Sequence, residues 1–457
     1  MQRVSNYIRQ FAHFQRNARL YLLSNALSGM TTGIFLILYN LYLTSLGYRA
    51  DFVGATLFVG TIGAGLAIFP AGLCVDRWSS KWILIASSLL IGLVGIGAIL
   101  FRQPGPLLVC AFLTGVATAF ILVINAPFLT RNSFPAERPD LFSLNIVLTQ
   151  ITTVLGELLG GFLPVEFAHS SWWMAPLPPW LNGLLDSHAE TRSYQLAMLV
   201  AGLIAIPSFM PLLLLSNDRP RASQERASQR EKRPTFSWNS WRAAARRWTR
   251  PSYVHSLLLS PFFALALVQT LTGLGAGLII PYFNLFFVRH LNASPALFGL
   301  IDGAANGLTA LTTLLAPALA RRVGRVNAIA LTRLCSLPLL LIIGLTRSLP
   351  LASGLYPLRE GLMDMSQGVL LVYSMEEVAE RHRGLANSAY QTTYQVAWAI
   401  TSSLAGLLIV SVGYSPLFLG AALCYLGTIA LLWGRFGRRK AGIPLRTEGI
   451  LTDKEET

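Results

Sequence analysis

From about residue 20 the chain keeps one rhythm: an apolar run of roughly 20 residues, the length a helix needs to cross hydrocarbon, then a short polar break. Gly, Pro, Arg and Asp supply the breaks. The runs lie near 20–46, 52–75, 82–101, 107–130, 141–165, 194–216, 254–288, 296–319, 326–346, 350–375, 385–412 and 414–434. No ten-residue alternation of the kind that builds a membrane barrel recurs between them. The pattern predicts an all-α polytopic membrane protein with twelve transmembrane helices.

Composition agrees, with 53% hydrophobic and 12% charged residues and a mean hydropathy of +0.53. The net charge of +15 raises the question of nucleic acid, but the basic residues sit between apolar runs and form no aromatic-studded face, so no nucleic-acid partner is expected. They sort by side instead. With a cytoplasmic N-terminus, 29 of the 36 Lys and Arg fall in inside segments and five in outside loops, which predicts cytoplasmic termini at a cell membrane. The first apolar run follows Arg3, Arg9, Arg16 and Arg19 and is too long for a signal-peptide core, so it reads as an uncleaved first span.

The organisation expected is a six-helix bundle over 1–216, a cytoplasmic linker over 217–253, a second bundle over 254–436 and a tail over 437–457. Within the linker Trp238, Trp241, Ala245 and Trp248 share one helical stripe and Arg242 and Arg246 another, the pattern of a helix lying in an anionic leaflet; a solvated linker is the alternative. The SSWWMAPLPPW segment, 170–180, reads as an interfacial aromatic anchor. Cys74, Cys110, Cys335 and Cys424 lie in or beside apolar runs, and the six histidines are scattered, so neither a disulfide framework, a metal site nor a cofactor is expected. No GxxxxGK[ST], HExxH or Ser/His/Asp arrangement points to an ATPase or an enzyme.

One phrase occurs twice. GMTTGIFLILYNLYL, 29–43, and GLGAGLIIPYFNLFF, 273–287, align at an offset of 244, with Gly29 on Gly273, Gly33 on Gly277 and Asn40 on Asn284. Offset 245 aligns Gly54 with Gly299 and Asp76 with Arg321, and offset 243 sets Glu137 and Arg138 on Glu380 and Arg381. Three near-identical offsets spread over six spans indicate duplicated halves. On a straight helix the asparagine of each phrase shares the face of its glycines, where helices approach closely, so a pair of gate-bracing amides is expected.

GLCVDRWSSK, 72–81, resembles the loop signature between the second and third spans of the major facilitator superfamily, and APALARRVGR, 316–325, resembles its second-half echo. Gly72, Asp76 and Arg77 in the first copy and Arg321, Arg322 and Gly324 in the second are the gating candidates. Ser79 stands where the family has Gly, and Arg321 where the first copy has its acid. Such a loop needs a tight turn, and its acid can take backbone donors or a cation in a contact that breaks on rocking. The resemblance implies two pseudo-symmetric six-helix bundles around a central cavity lined chiefly by spans 1, 4, 7 and 10. It further implies a monomeric secondary transporter in the lipid bilayer, whose partners are a small-molecule substrate and a proton or other coupling ion.

Ionisable groups inside spans are costly, so each is a functional candidate. Glu360 and Asp364 stand one turn apart on span ten, with Arg359 turned about 100° away. At offset 243 their counterparts are apolar (Val116, Ala117 and Ile121), so the scaffold does not require the charges. Glu157 lies in VLGELLGG, 154–161, which resembles the fifth-span antiporter signature of drug exporters except that Glu157 replaces its proline. Asp302 lies near the outer start of span eight, and Arg333 is expected to snorkel from the inner end of span nine. The family's helix arrangement would let Glu157, Asp302, Arg359 and Glu360 form one network. Glu157, Glu360, Asp364 and Asp302 are the coupling candidates, and a structural salt bridge is the alternative for span ten. Arg359, Tyr39, Asn40, Asn284, Gln391, Tyr394, Gln395 and Trp398 are the cavity candidates. They suit a small amphipathic organic molecule carried by proton coupling, with export favoured; an uptake symporter for a polar metabolite and a non-transporting sensor are the alternatives.

Overall fold

A computed structural model of the chain describes residues 14–134, 137–176, 178, 184–216, 260–378 and 383–437. The linker helix expected at 238–248, the Glu380 and Arg381 pair, and the side chain of Asp76 lie outside the described part. Long helices follow one another: α1 (Arg16–Ser45), α2 (Ala50–Arg77), α3 (Ser80–Leu100), α4 (Pro104–Arg131), α5 (Arg138–His169) and α6 (Ala189–Leu213). After the linker come α7 (Pro261–Ile279), α8 (Pro295–Val323), α9 (Arg325–Leu345), α10 (Leu349–Glu376), α11 (Arg383–Val412) and α12 (Ser415–Phe436). Eleven are long and apolar enough to cross a membrane. The twelfth, α10, has the length but carries Arg359, Glu360 and Asp364 in its middle.

By packing, the chain divides into two compact units, Met1–Glu231 with Tyr282–Gly303, and Lys232–Pro281 with Ala304–Thr457. In the first, α1 packs on α5 and α6, α4 on α2 and α3, and α3 on α6. In the second, α7 packs on α11 and α12, and α9 on α10 and α12. The pairings of α1 with α5 and α6 and of α3 with α4 and α6 recur under a shift of six helices, as duplication requires, and α2 on α4 has its echo in the Thr312 hydroxyl of α8, which donates to the Gly361 carbonyl of α10 at 2.9 Å.

Glycine contacts repeat the correspondence at atomic level. A Cβ on Gly33 of α1 would lie 2.1 Å from the Thr153 carbonyl oxygen of α5, and one on Gly277 of α7 would lie 2.5 Å from the Trp398 carbonyl oxygen of α11. Neither position admits a side chain without moving backbone, so the glycines exist to bring helix axes together. The helix ends correspond as well: Gly47 after α1 has φ 92°, and Asn292, 245 residues on, has φ 56°. Asparagine is the side chain that tolerates this left-handed region best after glycine.

The turns of the resembling loops differ. Gly324 joins α8 to α9 at φ 87°, a conformation reserved for glycine, whereas Ser79 between α2 and α3 is extended at φ −66°, ψ 134°. The serine therefore fits its loop because the first copy turns without a left-handed residue.

α7 does not run straight. Pro281 lacks an amide proton, and beyond Ile279 the chain continues as a 3₁₀ turn (Ile280–Tyr282), a short helical piece (Phe283–Leu285) and a π-helical turn (Phe286–His290). A straight-helix angle from Gly273 and Gly277 to Asn284 assumes an α-helical regularity that the chain does not keep beyond Ile279.

Candidate functional site

In the first unit the glycines of VLGELLGG are packing residues. A Cβ on Gly156 would lie 2.1 Å from the Met30 carbonyl oxygen and one on Gly160 3.0 Å from Ile34 Cα, both on α1, while one on Gly161 would lie 2.7 Å from the Pro295 carbonyl oxygen of α8. Glu157 sits among them with its side chain buried, and its carbonyl oxygen would lie 2.6 Å from a Cβ on Gly299. Asp302, half-buried, follows Gly299 by one turn on α8. The fifth-span phrase thus holds α5 against both α1 and the first turns of α8, and the Glu157 side chain on it is buried.

The duplicated asparagines meet. Asn40 Nδ2 donates to Asn284 Oδ1 at 3.4 Å, and Asn284 Nδ2 donates to the Ile37 carbonyl at 3.2 Å. Asn284 Oδ1 also accepts from the amide of Leu285 at 2.8 Å, satisfying backbone freed by the broken helix. Nearby, Arg289 pairs with Glu190 of α6 at 2.7 Å and donates to Thr44 Oγ1 at 3.2 Å. Residues 282–303 are therefore fastened to α1 and α6 by amides at the centre and an ion pair at the rim. Tyr39, one residue before Asn40, is half-buried.

Sequence pattern does not single out the other amides of this unit. Asn17 Nδ2 donates to Asn132 Oδ1 at 3.0 Å, Asn25 Nδ2 to Asn145 Oδ1 at 2.8 Å, and Tyr21 Oη to Asn125 Oδ1 at 3.2 Å. Gln195, fully buried in α6, bridges Tyr42 and the Ile99 carbonyl. Their common signal is a lone amide in an apolar run, the same signal that marks Asn40.

In the second unit α10 carries the charges. Arg359 is sealed from solvent and pairs through Nη1 with Glu360 Oε1, while Nη2 reaches the Tyr425 hydroxyl of α12 at 3.4 Å. Adjacent residues meet because the long guanidinium bends back across the 100° that separates them. Asp364, one turn further, is exposed, has Thr309 of α8 beside it, and forms no ion pair among the described residues. Of the two acids expected to share a face, one is neutralised and the other is left open.

Arg333 does not snorkel. It is fully buried, donating to Ser366 of α10 at 3.1 Å, Thr272 of α7 at 3.1 Å and Thr428 of α12 at 2.9 Å. Each hydroxyl gives its own proton to a carbonyl of its helix, those of Met363, Val268 and Tyr425, and so must turn a lone pair to the guanidinium. Three helices thereby offer oxygen acceptors to one positive charge in the interior, in place of the reach to the inner surface that the sequence predicts. Nothing in the periodicity of α9 reveals this cage, because its members come from three other helices.

On α11, Gln391 and Gln395 are exposed, Tyr394 and Trp398 half-buried, and Tyr394 lies within electrostatic reach of Asp364, Glu360, Arg333 and Arg359. Of the gating candidates, Gly72 has open space around it, so that a methyl there would meet nothing within 4 Å, and Arg77, Arg321 and Arg322 are exposed. Among the described residues no three His, Cys, Asp or Glu side chains cluster as metal ligands would. Within the segment read as an aromatic anchor, Ser171–Met174 form a single helical turn, with Trp172 and Trp173 exposed.

Solved structures of similar fold include transporters and a symporter. A bacterial homologue of the human lysosomal transporter Spinster, crystallised in an inward-facing and unoccupied conformation, matches at TM-score 0.66 and 14% identity over 93% of this chain and 95% of its own. A bacterial metal transporter matches at TM-score 0.65 and 16% identity over 93% of this chain and 100% of its own. A D-xylose–proton symporter matches at TM-score 0.63 and 16% identity over 92% and 97%. At these identities the likeness is one of fold. Among curated proteins none matches the sequence. The profile of the Major Facilitator Superfamily matches residues 21–272 and again 265–451, once for each copy of the duplicated bundle. With twelve helices in paired arrangement, the resembling loops and a profile match across nearly its whole length, the chain belongs to the Major Facilitator Superfamily of membrane transporters.

Proposed function

We propose that the protein is a proton-coupled secondary transporter in which Asp364 is the working acid. The observation that carries this reading is an exposed carboxyl without an ionic partner among the described residues, fifteen residues into the 28-residue helix α10. A charge at that depth is too costly to face lipid, so it faces water, where it can take and release a proton. Glu360 is held by Arg359 and is structural in this reading.

The solute is a small amphipathic organic molecule. The resemblance of 154–161 to the exporters' antiporter phrase supports outward transport, and the basic-residue bias supports cytoplasmic termini. Asn40, Asn284, Arg289 and Glu190 serve as the outer brace that parts when the protein opens to that side, and the exposed arginines 77, 321 and 322 belong to the inner loops that rearrange with it.

The test is reconstitution. Proteoliposomes holding the full chain are given a pH gradient, and flux of an amphipathic dye is followed for the parent and for Asp364→Asn. The expected result is gradient-driven flux that falls at least about a hundredfold in Asp364→Asn while the thermal unfolding midpoint stays near that of the parent. Gradient-driven flux unchanged in Asp364→Asn would refute the assignment.

A further inference from the structure

The charges of the second unit bear on what the solute is. Among the described residues, two cations lie in the interior of its helices, Arg333 and Arg359, and both are sealed at 0% exposure. Arg359 is engaged by Glu360 and Tyr425; Arg333 is engaged by three hydroxyl oxygens, each of which turns a lone pair to it. Neither guanidinium is presented to a solute.

What is presented has the opposite character. Asp364 is exposed, and Gln391 and Gln395 are exposed on the neighbouring antiparallel helix α11. Asp364 lies twelve residues before the inner end of α10, and Gln395 twelve after the inner start of α11. At 1.5 Å per residue each sits about 18 Å along its helix from the end nearest the connection between them. Tyr394, beside Gln395 in the chain, lies within electrostatic reach of the carboxyl. A carboxylate with no cation of its own, two amides able to offer carbonyl oxygens, and an aromatic ring form a set that stabilises a positive charge on an apolar body. An anion would meet the carboxylate with no accessible cation to offset it.

Resting on the reading of Asp364 as the working acid, we propose that this face of α10 and α11 binds an organic cation, a protonated or quaternary amine with an aromatic or aliphatic body, in competition with the proton on Asp364. Around that carboxyl stand Glu360 and Arg359 on its own helix, Thr309 on α8, Tyr394 on α11 and, beyond Tyr394, Arg333 on α9. The arginines do not change partners in the exchange; the site alternates between a proton and the cation on one carboxylate.

Two probes of the same shape and opposite charge make the test. Thermal unfolding of the purified full-length protein is followed against tetraphenylphosphonium and tetraphenylborate at pH 6 and pH 8, for the parent, Asp364→Asn and Asp364→Glu. The expected result is stabilisation by the phosphonium alone, with apparent affinity falling up to about tenfold for each pH unit below the carboxyl's pKa. Asp364→Asn should lose at least about tenfold in affinity and its pH dependence, and Asp364→Glu should retain both. Equal stabilisation by both probes, stabilisation by the borate alone, no stabilisation by either, or full phosphonium affinity in Asp364→Asn would each overturn the proposal. The two readings fail separately. Proton-driven flux of an uncharged solute through Asp364, without phosphonium binding, refutes the cation site and keeps the coupling; phosphonium binding at Asp364 without any proton-driven flux does the reverse.

Discussion

In the first unit the polar side-chain pairs between the long helices are neutral, Asn17 with Asn132, Asn25 with Asn145, Tyr21 with Asn125, and Gln195 with Tyr42, and the ion pairs Arg289–Glu190 and Arg102–Asp186 lie at the rim and the loop before α6. In the second unit the corresponding role falls to ions, Arg359 with Glu360 and Arg333 in its hydroxyl cage. The positions 244 and 245 residues before Arg333 are Leu89 and Ser88, so the scaffold was duplicated and the charges were not. An amide pair holds helices at low cost and cannot change its charge. A carboxyl can, and in the second unit Asp364 is left exposed.

The contrast breaks most sharply at Arg359. Arg359→Ala leaves Glu360 inside the unit without its cation and should destabilise by about 3–5 kcal/mol, and adding Glu360→Gln should restore most of that loss. Arg333→Met should stay within about 1 kcal/mol of the parent, because the three hydroxyls keep their carbonyl partners and no opposite charge is stranded. Denaturation in mixed micelles measures all of them. A large loss in Arg333→Met would mean that its cage is a cross-link and not a way of dissolving a charge.

Glycine substitutions test what the halves share. Gly33→Ala and Gly277→Ala each push a methyl into backbone of the facing helix and should cost about 1–3 kcal/mol, alike in the two units, whereas Gly72→Ala, with nothing near it, should be silent. Unequal costs for Gly33 and Gly277 would show that the duplicated helix contacts have diverged in energy as well as in polar filling.

A smaller effect separates amides from ions. Asn145→Leu removes the partner of Asn25 and should cost about 1 kcal/mol by the same unfolding measurement, near the upper range for such bonds in membranes. A loss as large as that of Arg359→Ala would erase the distinction between the units.

The smallest prediction concerns the loop before α6. Burial opposes ionisation of Asp186, but the backbone and ring of His188 and the Arg102 guanidinium outweigh it and hold the carboxyl below its ordinary value of 3.8. The folded loop therefore gains stability from this group above the unfolded pKa and loses it as pH falls through the lower folded one. Unfolding curves taken between pH 5 and pH 3 should converge for the parent and Asp186→Asn, with the parent losing the more, while the two keep a constant gap if the carboxyl makes no contribution.

Much of this architecture is legible in the order of residues. Apolar run length marks the helices, and offsets near 244 mark the duplication, because a membrane forbids lipid-exposed irregular backbone and a copied bundle keeps its small residues. The α10 charges stand out for the same reason, being costly where they lie. Asn284 is found by its repeat, yet its partners on α1 are not, because a straight-helix angle assumes a regularity that ends at Ile279. Arg333 lies in the interior and not at the inner surface, because the reach of one side chain says nothing of acceptors waiting on other helices.

Sequence by itself determined the helices, their duplication and the list of costly residues, since those follow from local periodicity and from the penalty on polarity in hydrocarbon. Only tertiary structure decided which of those residues are engaged and which are open. Arg359 is neutralised by its neighbour, Arg333 is dissolved among hydroxyls of α7, α10 and α12, and Asp364 is left exposed. Pairing and exposure depend on which helix faces lie together, and residues far apart along the chain settle that.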